Sequence, residues 1–89
     1  MKITWAPEAR RQLSGIWHYI ALDDPHAADR MVARLVAAVE KLGYFPHLGR
    51  PGREHSRELV VSGTPFIVVY CVEEEEVRIG TILHGAQRH

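Results

Sequence analysis

The sequence predicts an α+β fold in which an N-terminal strand and a helical hairpin precede a three-stranded antiparallel meander, with all strands in one sheet. Two observations support this prediction. Apolar residues recur at helical spacing between residues 7 and 42. From residue 57 onward, β-branched and aromatic residues dominate and are interrupted by short turn sequences. A length of 89 residues fits one domain spanning residues 1–89.

The first half of the chain predicts one strand and two helices. Lys2–Trp5 is a strand that stops at Ala6-Pro7, where proline suits a first helical position. The first helix covers residues 7–22, and Gly15 within it indicates a close approach of the two helices. Asp24 followed by proline begins the second helix, whose apolar stripe runs to residue 42.

The second half predicts three paired strands. Arg57–Val61 and Phe66–Val72 are separated by the turn sequence at 62–65, and Phe66–Val72 is the central strand because it is the most continuously apolar. The run Glu73–Glu76 is predicted as a solvated turn before a last strand, Val77–Leu83.

Several buried side chains are also predicted. Trp5 and Trp17 are expected in the core, and Tyr70 is expected to pack its ring in the sheet with its hydroxyl at an edge. Cys71 is the only cysteine, so it cannot form an internal disulfide and is expected to be a small buried residue.

The charge is unevenly distributed along the chain. The formal net charge is zero, but four of the 11 acidic residues form the run at 73–76, which leaves 11 basic against seven acidic residues elsewhere. Nine of the basic residues are arginine, which suits bidentate contacts with carboxylates or phosphates. Three of them, Arg50, Arg53 and Arg57, lie in a loop rich in glycine and proline, where binding residues often occur.

No apolar run is long enough for a signal peptide or a membrane span, which predicts a cytoplasmic protein without a membrane partner. The six histidines form no short ligand pair on one helix face, and a structural zinc site would also need cysteines. We therefore expect no metal and no cofactor.

Seven short segments occur in an order that resembles the RelE/ParE superfamily of bacterial toxins. They are Trp5-Ala6-Pro7-Glu8-Ala9, Asp24-Pro25, Phe45-Pro46, Gly49-Arg50-Pro51-Gly52-Arg53, Arg57-Glu58-Leu59-Val60-Val61, Pro65-Phe66-Ile67-Val68-Val69-Tyr70 and Leu83-His84-Gly85-Ala86. The resemblance covers nearly the whole chain and implies a RelE-like fold. It also implies the toxin of a type II toxin–antitoxin module, neutralised by a ParD-like or RelB-like antitoxin whose C-terminal segment wraps the toxin.

The superfamily has two main activities, and departures from its patterns favour one of them. RelE-like members cut messenger RNA on the ribosome and tend to place arginine after the aromatic of the central strand, where this chain has Ile67. Ala86 stands near the position of a second expected arginine, and the chain ends at His89 without a tyrosine. The ParE-like pattern, His-Gly-Ala-Arg, is close to residues 84–88. The resemblance therefore favours a ParE-like inhibitor of DNA gyrase that is not an enzyme.

The resemblance leaves the residue roles open between these activities. In a ParE-like toxin, the target-binding residues would be Arg50, Arg53, Arg57 and Arg88. In a RelE-like, metal-independent endoribonuclease, the same arginines would surround the scissile phosphate. His84 and Arg88 would then be the candidates for catalysis, because such chemistry needs proton transfer and cations. A homologue that has lost activity is a third interpretation.

Overall fold

The computed structural model describes residues 1–85 and confirms the α+β class. The chain forms β1 (Lys2–Trp5), α1 (Pro7–Ala21), α2 (Pro25–Lys41), β2 (Arg50–Pro51), β3 (Arg57–Val60), β4 (Phe66–Val72) and β5 (Glu76–His84). No helix within residues 1–85 has the length and apolar character needed to cross a membrane.

The two helices form the predicted hairpin and begin at the predicted prolines. Pro7 opens α1, and Asp24 caps α2 by accepting hydrogen bonds of 3.1 Å from the backbone N–H groups of His26 and Ala27. The carboxylate thereby satisfies two amides that lack a partner within the helix. α1 ends at Ala21, within one residue of the prediction.

The five strands form one sheet in the order β1-β5-β4-β3-β2. β3, β4 and β5 are the predicted antiparallel meander, and β4 is the central strand, as predicted. β1 pairs with β5 in parallel, with Ile3 opposite Val77. The predicted strand count was one too low, because the short β2 pairs with β3 inside what the sequence indicated as a loop.

The core lies between the helices and one face of the sheet. Nine buried residues form it, and they come from the two helices, from the sheet and from positions next to them: Ala9, Leu35, Val39, Leu42, Val61, Val68, Tyr70, Val77 and Ile79. A register shift beside Val69 and Tyr70 leaves Gly80 without an opposite residue. Because such an irregularity reverses the side-chain alternation, Ile79 and Ile82 are both buried although they are three residues apart.

Four local predictions were wrong. Gly15 faces open space, since an added Cβ would meet no atom within 4 Å, so it does not mark a close approach of the helices. Trp5 and Trp17 are half-buried at the edge of the core rather than inside it, and Cys71 is also half-buried. Glu76 belongs to β5 rather than to the turn, and its carboxylate accepts a hydrogen bond of 2.9 Å from the Thr4 hydroxyl.

Candidate functional site

The predicted arginine loop is a short β-hairpin, called here the arginine hairpin and comprising residues 49–58. Its two strands pair through Arg50 with Glu58 and Pro51 with Arg57. The turn is closed by two backbone hydrogen bonds of 2.8 Å, from Gly52 N–H to the Ser56 carbonyl and from Ser56 N–H to the Arg53 carbonyl. The loop is therefore an ordered element at one end of the sheet.

The tip of the arginine hairpin has an unusual backbone. Glu54 and His55 adopt φ angles of 50° and 65°, in the left-handed region that favours glycine. Such a conformation costs on the order of 1 kcal/mol or more per residue, and it is often found at binding sites. Arg53, Glu54 and His55 are all exposed, so this turn presents an arginine and a histidine to a partner.

The Tyr70 hydroxyl forms hydrogen bonds with the backbone at the base of the hairpin. It accepts a hydrogen bond of 2.9 Å from the Gly49 N–H and donates one of 2.7 Å to the Pro46 carbonyl. The ring is only 1% exposed and packs in the core, as predicted. Burial raises the pKa of Tyr70 above 10.0, while the Gly49 N–H and the positive charge of Arg57 act to lower it.

Position 49, beside this hydroxyl, has space only for glycine. A Cβ at position 49 would lie 2.8 Å from the Glu58 carbonyl oxygen and 2.8 Å from the Tyr70 hydroxyl. Both distances are shorter than a van der Waals contact, so any larger residue would force the loop away from the strand.

The structure brings Arg50, Arg53 and Arg57 together in the hairpin but gives them different environments. Arg57 is half-buried, and its Nη1 donates a 2.8 Å hydrogen bond to the Gly49 carbonyl. Arg50 forms an ion pair with Glu58 at 3.4 Å, and its side chain remains 53% exposed. Arg53 lies at the exposed tip. Arg88, the fourth predicted arginine, lies outside the described residues, as does Ala86.

His84 lies at the other end of the central strand. It ends β5 opposite Phe66, and the two rings meet edge to face with centroids 5.6 Å apart. Arg57, in β3 on the opposite side of β4 from β5, pairs with Tyr70, which is four residues after Phe66. His84 and Arg57 are therefore separated by four residues along the strand direction and by two strand spacings across the sheet. Together these displacements place their Cα atoms roughly 16 Å apart.

A second surface feature is an apolar groove between the two helices and β1, called here the helical groove. Its lining residues are Trp5, Arg10, Leu13, Ser14, Trp17, Val32 and Val36. The Trp17 indole N–H donates a 2.8 Å hydrogen bond to the Asp29 carboxylate, which bridges α1 and α2.

The sequence indicated the arginines but not how they are held. The sequence predicted Tyr70 as a packing residue and Gly49 only as part of the loop. A signal was present in the alternation of β4, which buries Val68 and Tyr70 on one face, because a buried tyrosine hydroxyl usually needs a hydrogen-bond partner. Within residues 1–85, no group of three or more histidine, cysteine, aspartate or glutamate side chains could hold a metal ion.

Comparison with known proteins identifies the family. The family model described as the ParE toxin of the type II toxin–antitoxin system parDE matches residues 3–89. The chain therefore belongs to the ParE toxin family. The resemblance found in the sequence is confirmed at this level, including the RelE-like α+β fold.

The name RelE occurs among the similar sequences, and the name ParDE belongs to a similar solved structure. The Y4kP protein of Sinorhizobium fredii, described as a candidate toxin, is 43% identical over 98% of this chain and 91% of its own length. Toxin RelE2 of Caulobacter vibrioides is 36% identical, with 97% of each chain covered. A solved chain of the chromosomal ParDE toxin–antitoxin system from P. aeruginosa superimposes with a TM-score of 0.83 at 28% identity, over 94% of this chain and 95% of that one.

Proposed function

We propose that this protein, the toxin of a type II toxin–antitoxin module, acts in the cytoplasm as a ParE-like inhibitor of DNA gyrase. In this proposal the arginine hairpin binds the target, and a cognate ParD-like antitoxin neutralises the toxin. The membership of the ParE family supports the module and the antitoxin partner. The choice of gyrase depends on the arrangement of the candidate residues.

The separation of His84 from the arginine hairpin carries the proposal. Metal-free RNA cleavage requires a proton-transfer group and cations around one phosphate, within hydrogen-bond reach of the reacting atoms. His84 and Arg57 flank opposite ends of β4, roughly 16 Å apart by strand geometry. Arg57 is in addition engaged with the Gly49 carbonyl. These positions favour a surface that binds a partner over a site assembled around one phosphate.

The hairpin has the properties expected of a binding element for an acidic partner. Arg53 stands exposed at a tight turn that two backbone hydrogen bonds close. A rigid element loses little conformational entropy when it binds, and a guanidinium forms strong bidentate contacts with carboxylates. Arg50 is half exposed and can exchange its long ion pair with Glu58 for a partner's carboxylate.

Ribosome-dependent cleavage of messenger RNA is the alternative function. It is favoured by the RelE names of two relatives, which are 36% and 32% identical to this chain. In that case Arg50, Arg53, Arg57, Arg88 and His84 would act on the messenger.

The antitoxin is proposed to bind at the helical groove and at the edge of the sheet. The groove exposes apolar side chains between two helices, which suits the apolar face of an amphipathic helix. On the β3 side, β2 pairs only with Arg57 and Glu58, so Leu59 and Val60 extend beyond it. Val60 is 53% exposed, which suits the addition of a further strand.

A purified gyrase assay tests the function. Arg53→Ala removes an exposed guanidinium without touching the core, so the toxin concentration for half-maximal gyrase-dependent DNA cleavage should rise roughly tenfold, as for a central interface arginine. Arg30→Ala, which changes an exposed arginine near the start of α2, is the matched control and should leave that concentration unchanged. Wild-type toxin that leaves gyrase unaffected but directs ribosome-dependent cuts in transcripts would establish the nuclease instead.

A further inference from the structure

We propose that Tyr70 is a positioning residue whose hydroxyl holds the arginine hairpin in the geometry that its target binds. This inference rests on the proposed function of the hairpin. It assigns to a buried side chain, which no partner could touch, an indirect influence on target binding through the hairpin that it holds.

The hydroxyl joins a rigid strand to a loop. Tyr70 lies in the central strand with its ring 1% exposed, so the position of its hydroxyl is fixed by the core. That one oxygen binds the Gly49 N–H at 2.9 Å and the Pro46 carbonyl at 2.7 Å, on either side of two exposed residues, His47 and Leu48. Both partners are backbone groups, so the bonds fix the path of the main chain itself.

The backbone of Gly49, which the hydroxyl holds, is also connected to both strands of the hairpin. Gly49 immediately precedes Arg50, the first residue of β2, and its carbonyl accepts the guanidinium of Arg57 from β3. Gly49 also lies so close to β3 that a Cβ at this position would be 2.8 Å from the Glu58 carbonyl oxygen. The hydroxyl, the glycine and Arg57 therefore form one anchor at the base of an element whose paired part is only two residues long.

Tyr70→Phe separates this anchor from the packing of the ring. The variant keeps the buried ring and removes only the hydroxyl, which leaves two backbone groups in need of water. The loop must shift to reach water, so the anchored geometry becomes one of several. In a displaced hairpin Arg53 no longer reaches its partner on the target, so displaced molecules bind as Arg53→Ala does. With only a few molecules in a hundred still anchored, the apparent affinity for the target falls nearly tenfold, which is the loss expected for Arg53→Ala itself.

A double-mutant cycle tests whether Tyr70 acts through the hairpin. The variants are Tyr70→Phe, Arg53→Ala and their combination, each assayed for the concentration that gives half-maximal gyrase-dependent DNA cleavage. We expect each single change to raise this concentration about tenfold, and the double variant to be little worse than either. Tyr19→Phe, in an exposed tyrosine of α1 (78% exposed), removes the same atom elsewhere and should have no effect.

Two further measurements separate positioning from general destabilisation. Antitoxin affinity should stay within about twofold of wild type in Tyr70→Phe, because the helical groove is intact and Leu59 and Val60 remain paired with β4. Amide hydrogen exchange should speed up at least about tenfold within residues 49–58 and remain unchanged in β5. If Tyr70→Phe fails to fold, Gly49→Ala displaces the same loop while leaving the tyrosine in place, and the same pattern is expected.

The outcomes distinguish this inference from the proposed function. Multiplicative losses in the double variant, or unchanged exchange in the hairpin, would overturn the positioning role while leaving the hairpin as the binding element. If Arg53→Ala has no effect, both the binding role of the hairpin and the inference are wrong. A wild-type protein without effect on gyrase refutes the proposed target alone, since the exchange measurement still decides whether Tyr70 holds the hairpin.

Discussion

Replacing Trp17 by alanine should weaken both folding and antitoxin binding. The ring is half-buried in the helical groove, and its N–H bonds Asp29 on the other helix at 2.8 Å. Removing a fully buried tryptophan costs about 3–5 kcal/mol, so half burial corresponds to about 2 kcal/mol. In a domain of this size, such a loss lowers the melting temperature by roughly 10 °C. If the groove binds the antitoxin, the dissociation constant of the folded variant should rise at least about thirtyfold.

The matched variant Trp17→Phe separates the ring from its hydrogen bond. It keeps an aromatic ring in the groove and removes the indole N–H, and with it the exposed hydrogen bond to Asp29, which is worth about 1 kcal/mol or less. Thermal melting measures the first effect, and calorimetric titration with the antitoxin, performed well below the melting temperature, measures the second. Unchanged melting of Trp17→Ala would refute the packing estimate. Normal antitoxin affinity of folded Trp17→Ala would show that the antitoxin binds elsewhere.

Three further predictions concern stability. Gly15→Ala should raise the free energy of unfolding by about 1 kcal/mol in urea titration, since the site is helical and open, whereas Gly63→Ala, at φ 76°, should lower it by about 1 kcal/mol or more. The hydrogen bond from Thr4 holds the pKa of Glu76 below 4.5, so the stability it provides is present above that pH and lost as the pH falls. Thr4→Val should therefore flatten the acid limb of a stability–pH profile. Burial raises the pKa of Tyr70 above 10.0, so its contribution is complete below pH 10 and should fall above it, a loss absent in Tyr70→Phe.

Local sequence signals were sufficient for most of the secondary structure. Pro7 and the Asp24-Pro25 pair mark helix starts by rules that depend on neighbouring backbone groups alone. The continuous apolar run of β4 likewise predicted the central strand. The helix starts were confirmed because they depend on interactions within a few residues of the signal. The central strand was confirmed because a strand that is paired on both sides and buried is apolar along most of its length.

The anchor of the candidate site depends on distant residues and was therefore not predicted. Tyr70 and Gly49 are 21 residues apart, and their hydrogen bond forms only after β4 has been placed beneath the loop. β2 was missed for a similar reason, since a two-residue strand is defined by its partner and not by its own pattern. The prediction of a close helix contact at Gly15 was wrong, because glycine in a helix is compatible with both a tight contact and an open surface.

The most direct test of gyrase as the target is the order in which replication and translation fail after the chain is expressed alone in a bacterium. Pulse labelling of DNA and of protein, followed over the first minutes of induction, gives that order within one culture. The gyrase proposal predicts that DNA synthesis stops first, with a DNA-damage response, and that co-expression of the antitoxin restores growth. Translation failing first, with cuts in messenger RNA detected by primer extension and no DNA damage, would contradict it.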